Sequence, residues 1–100
     1  MRSWRLLASS LAIDGAGVEV AYADVFVVLR PGDDLPGPND WEATVRTSDH
    51  HHLRPGTYEL AFQTPDGLRL AGHAILRFSD GRQHHFRGDG DLSGVGDALA

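Results

Sequence analysis

The sequence predicts an all-β chain, a small antiparallel β-barrel or β-sandwich of about six strands joined mostly as a meander. Three observations predict it. Asp-Gly pairs recur at Asp14-Gly15, Asp66-Gly67, Asp80-Gly81 and Asp89-Gly90, the chemistry of tight hairpin turns. Apolar and polar residues alternate between most of them with the period of two that turns one face of a strand inward. When these runs are folded back about their glycine-ended turns, facing residues agree in character, as residues sharing a sheet face must.

The first element is a long hairpin. Pairing Ile13 with Val18 across residues 14–17 also pairs Leu11 with Val20, Leu6 with Val25 and Trp4 with Val27. All four pairs are apolar, yet two use odd positions of the first strand and two use even ones. The buried face therefore changes sides near Ala8-Ser9-Ser10 and again near Ala21–Asp24. Two readings follow. The hairpin bends at a barrel corner or passes between sheets, or its distal half leaves the domain and packs on a neighbouring subunit, with Leu11, Ile13, Val18, Val20 and Tyr22 as the interface.

Residues 31–40 carry three prolines and read as an extended surface loop. Trp41, Ala43, Val45 and Thr47 then mark the inward face of a half-buried strand. The run from Thr57 to Phe86 holds three strands. A three-residue loop at Pro65-Asp66-Gly67 sets Phe62 against Leu70 and Leu60 against Gly72. A similar loop at Ser79-Asp80-Gly81 sets Phe78 against Arg82, Leu76 against His84 and Ala74 against Phe86. On the other face this register lines up Glu59, His73 and Arg87 as a solvated charge ladder. The expected core is Trp4, Leu6, Val25, Val27, Trp41, Val45, Tyr58, Leu60, Phe62, Leu70, Leu76, Phe78 and Phe86. Residues 1–92 form the single β domain, and the glycine-rich stretch 93–100 is expected to fray.

Composition bounds the function. A chain of 100 residues, 41% hydrophobic and 23% charged, holds one modest core. The absence of cysteine excludes disulfides, thiolate zinc sites and thiol nucleophiles. All nine basic residues are arginine, and the formal net charge of −5 disfavours a nucleic-acid partner. The N-terminal run imitates a signal peptide but is short and broken by Ser9 and Ser10, so the expected location is cytoplasmic. No stretch has the length of a membrane span, and no membrane partner is expected. The cadence of Pro55-Gly56-Thr57-Tyr58-Glu59-Leu60, then Asp80-Gly81-Arg82, resembles many short β proteins of bacteria with GC-rich genomes. That cadence carries no activity.

Histidine alone invites a chemical reading, at His50-His51-His52, His73 and His84-His85. Neighbouring histidines on a strand point to opposite faces, so His84 and His85 cannot share one ion. His84 sits on the core side with Leu76 and Phe86, as a hydrogen-bonded interior histidine or as the lining of a small pocket. His50 and His52, two apart, could chelate a divalent transition metal with help from His84. The simpler reading is a histidine-rich surface loop without a cofactor. No nucleophile elbow or phosphate loop is present. The expectation is thus a non-catalytic binding or assembly module, partnered by further copies of itself or by another protein. The alternatives are a histidine metal site, with a metalloenzyme among its forms, and a β-barrel that holds a small apolar ligand.

Overall fold

A computed structural model describes residues 2–29 and 39–96. Its strands are β1 Arg2–Ala8, β2 Ser10–Ile13, β3 Ala16–Val18, β4 Val20–Leu29, β5 Asn39–Thr47, β6 Thr57–Gln63, β7 Arg69–Ser79 and β8 Gln83–Gly88. All pairings are antiparallel, and one sheet in the order β1-β4-β5-β8-β7-β6-β2-β3 curls into a half-barrel. Both ends of the sheet come from the same hairpin, because β1 runs into β2 through Ser9 and β3 into β4 through Glu19. There are eight strands rather than about six because each arm of this hairpin divides at that one residue. On one side of the division β1 pairs with β4; on the other, β2 lies between β3 and β6. Ser9 anchors the division by donating its amide to the Gln63 carbonyl at 2.8 Å.

The predicted change of buried face lies where the sequence puts it. Ala8 is inward before the break and Leu11 and Ile13 after it, while Ser9 and Ser10 are exposed. On the second arm a bulge between Val20 and Tyr22 does the same. Pairing of Trp4 with Val27 and Leu6 with Val25 is as expected. The distal pairs are shifted: Ile13 faces Ala16 and Leu11 faces Val18. The cause is the turn. Asp14 and Gly15, at φ of 50° and 84°, form a two-residue turn whose twist suits a hairpin, in place of a four-residue loop.

The β6–β7 register is the expected one, with Phe62 on Leu70 and Leu60 on Gly72. At β7–β8 the structure corrects the sequence reading. The Asp80 carboxylate accepts the amides of Arg82 (3.0 Å) and Gln83 (2.8 Å), which closes a tighter turn, and a bulge follows between Leu76 and Phe78. Leu76 therefore faces Phe86 and Ala74 faces Gly88, two residues beyond the expected register. The bulge also turns Phe78 outward, where it is 56% exposed instead of in the core. Glu59 and His73 do face each other, but Arg87 stands beside Ile75 and Glu42 and not in their row.

The meander expectation fails at one connection. β5 lies beside β8 and not β6, so residues 48–56 cross over two strands and the last four strands have Greek-key order. Nine residues can reach that far, since an extended chain covers about 3.3 Å per residue. Asn39 and Asp40, expected in the proline loop, already belong to β5. The prolines themselves lie outside the described residues.

Val25, Val27, Val45, Leu60, Leu70, Ala74, Phe62 and Phe86 fill the interior. Each large member contributes about 1.5–3 kcal/mol by leaving water. Trp41 lies flat over β8 at Gly88, where any side chain would run into the indole, and donates its ring N–H to the Gly90 carbonyl at 3.1 Å. Its edge meets Phe62 at a centroid distance of 6.2 Å. The expected frayed tail is in part ordered. Ser93 bridges to Ala71, Leu92 and Val95 are buried, and Asn39 holds both Asp91 and Leu92. Residues 97–100 lie outside the described residues.

Candidate functional site

Two places bring chemistry or unspent surface together: a histidine cluster at the β7–β8 turn, and the end strand β1 with the outer face beside it.

His84 is fully buried on β8. Its partners fix its tautomer. The Thr47 hydroxyl gives its one proton to a carbonyl, that of Asp49 at 2.7 Å or Arg82 at 3.2 Å. His84 Nε2, 3.4 Å from the same oxygen, must then be the protonated nitrogen. Nδ1 is left as the acceptor for the Ser79 hydroxyl at 2.8 Å, and Ser79 Oγ in turn accepts the Gly81 amide at 3.2 Å. Burial pushes the His84 pKa below its ordinary value, with His51 and His50 acting in the same direction and Asp80 against them. His84 is therefore a satisfied interior histidine held neutral.

The crossover lies on top of this chain. Thr47 and His51 donate their amides to the Arg82 and Gly81 carbonyls at 2.8 and 2.7 Å. The His50 ring occupies the space over Gly81, whose φ of 97° and missing side chain both suit the contact. Leu53 packs against the core, and the Tyr58 hydroxyl donates to the Arg54 carbonyl.

The structure does not assemble the sequence-derived metal set. His50 lies over Gly81, His52 is exposed and His84 is buried with both nitrogens engaged. Among the described residues no group of three histidines or carboxylates could hold a metal ion. The expected pocket of His84, Leu76 and Phe86 is filled by those residues themselves, since all three are buried and the rings of His84 and Phe86 lie 6.5 Å apart. Ser79 and His84 have two parts of a nucleophilic dyad, but no substrate can reach a ring that is fully enclosed. Sequence reasoning missed Ser79 and Thr47 as the partners of His84. Ser79 was within reach, because a two-residue turn at Gly81-Arg82 sets it opposite His84; Thr47, 37 residues away, has no local signal.

Of the expected interface residues, Leu11 and Ile13 are only 3% and 7% exposed and belong to the chain's own core. Val18 and Val20 are half-buried against that core, and Tyr22 is exposed. The surface on offer lies at the other half of the hairpin. β1 is an end strand whose Trp4 and Leu6 are half-buried, and Leu7 is 62% exposed. Leu7, Asp24, Thr44, His85 and Phe78 stand side by side across five strands on the outer face. The next row includes Arg5, Phe26, Glu42, Arg87 and Ile75. Arg5 Nε is 3.3 Å from Asp24 Oδ1, yet that oxygen, enclosed by its surroundings, has no hydrogen bond. The two observations agree if the pair attracts by charge while its angle misses hydrogen-bond geometry. A shallow cleft of about 210 Å³ follows between Phe26, Val28, Asp40, Trp41, Glu42 and Arg87.

Compared with family models, curated proteins and solved structures, the chain matches none. No helix among the described residues is long and apolar enough to cross a membrane.

Proposed function

We propose that the chain is a non-catalytic binding module that self-associates through the edge of its N-terminal hairpin, β1 of one copy lying antiparallel beside β1 of the next. The observation that carries this reading is β1 itself, a seven-residue end strand with an apolar inner face at the rim of the core and Leu7 on its outer face. An end strand presents unpaired N–H and C=O groups that template another strand.

A second copy suits this edge better than an arbitrary peptide. Centred on Leu6, a two-fold pairing sets Leu6 on Leu6, Trp4 on Ala8 and Arg5 on Leu7, with no like charges opposite. It also joins the inner rows Trp4, Leu6 and Ala8 of both copies into one apolar surface. Centred on Arg5, two guanidinium groups would meet instead, which disfavours that register. Nothing favours the metal reading over this one, because His84 has both ring nitrogens engaged and is enclosed.

Sedimentation across the micromolar range tests the proposal. The wild-type chain is expected to shift from monomer to dimer with concentration, and Leu7→Lys to weaken that shift about tenfold. A wild-type chain that stays monomeric throughout would remove the proposal.

A further inference from the structure

The crossover 48–56 and the turn beneath it form a second feature, independent of the β1 edge. We propose that the crossover is an acid-released latch, closed on the β7–β8 turn while the enclosed His84 is neutral and opened when it takes up a proton.

Three imidazoles meet here from two elements. His50 and His51 arrive on the crossover, the former with its ring over Gly81 and the latter half-buried with its amide on the Gly81 carbonyl. His84 lies directly below, on β8. Its hydrogen-bond chain is directional, from Gly81 N–H to Ser79 to His84 to Thr47 to the Asp49 carbonyl, and the last two residues are the root of the crossover. A proton on Nδ1 would face the Ser79 hydroxyl hydrogen that now points to it. Ser79 would have to turn away, and the chain that ends at the crossover would lose its direction.

The surrounding charges do not absorb this proton. From the turn, Asp80 attracts it, but the Asp80 carboxylate is already held by the amides of Arg82 and Gln83 and lies near Arg46 of β5. From the crossover, His50 and His51 oppose it. A charged His84 crowded by the two crossover histidines is relieved most cheaply by lifting the segment that carries them. Among the described residues three backbone amide contacts hold the last residue of β5 and this end of the crossover, at Thr47, Ser48 and His51, so the rest of the strand pairing stays in place when the segment lifts.

Amide hydrogen exchange on the whole chain, below its association range, tests the latch at pH 7.5 and pH 5. Protection factors, corrected for intrinsic rate, are expected to fall at least tenfold further at Thr47 and His51 than at Val25 and Val27 of β4. In the double variant His50→Asn, His51→Asn, which alters two side chains outside the core and keeps both amides, this extra loss is expected to shrink severalfold. A parallel fall at all four positions would mean general acid destabilisation and overturn the latch. So would an extra loss at Thr47 and His51 that the double variant leaves unchanged.

Discussion

The two halves of one hairpin arm differ in burial although their residues differ little in hydrophobicity. In β2, Leu11 and Ile13 are sealed, because β6 covers one side of the strand and β3 the other. In β1, Trp4 and Leu6 stay half-buried because β4 covers one side only, and Leu7 lies exposed on the outer face. Apolar content alone does not mark an interface. What matters is whether the sheet supplies a second neighbour, and the sheet of a single chain does so for β2 and not for β1.

The largest effects should break this contrast from its buried side. Leu11→Ala should cost about 2–5 kcal/mol in urea unfolding, as expected for a truncated core residue, whereas Leu7→Ala should stay within about 0.5 kcal/mol. Equal costs would mean that β1 is as enclosed as β2. Gly88→Ala should cost about 1–3 kcal/mol, since the new methyl meets the Trp41 indole, and Trp41 fluorescence should report the displaced ring.

Acid should act on β8, in the middle of the sheet and away from the β1 edge. The native state holds His84 neutral below its ordinary pKa, so the unfolded chain binds a proton that the folded chain does not. This part of the stability is complete above about pH 6.5, the ordinary histidine value, and is lost as pH falls below it. The slope for one proton reaches about 1.4 kcal/mol per pH unit at most. Urea midpoints at pH 7.5 and 5.5 measure it, and a midpoint that rises on acidification would contradict it. The smallest effect belongs to the outer face. Arg5→Ala should change stability by less than about 1 kcal/mol, because the Asp24 pair is partly exposed and makes no hydrogen bond.

Much of the fold was legible in residue character. Alternation located the strands, and the odd-to-even switch at Ala8-Ser9-Ser10 located the corner. What alternation cannot show is how a carboxylate moves a turn along the chain, as Asp80 does, since a shift of three residues there and the bulge behind it sent Phe78 outward onto the row of His85 and set Ser79 on His84. Nor does a local pattern reveal that residues 48–56 pass over two strands to reach β6. The histidines were visible, but their state was not, because Thr47 and Ser79 reach His84 through that crossover and that turn. The apolar residues of the hairpin were equally visible, and assigning the distal half to a partner overlooked β6, a neighbour arriving more than 40 residues later in the chain.

The β1 edge can be tested by a single thiol, since the chain has no cysteine of its own. Leu6→Cys places that thiol at the centre of the proposed two-fold pairing, and Gly17→Cys places it on the other end strand, where a side chain meets nothing. Under mild oxidation at micromolar concentration, Leu6→Cys should convert rapidly to a covalent dimer and Gly17→Cys should remain largely monomeric. Equal conversion of both, or none in Leu6→Cys, would contradict an association centred on β1.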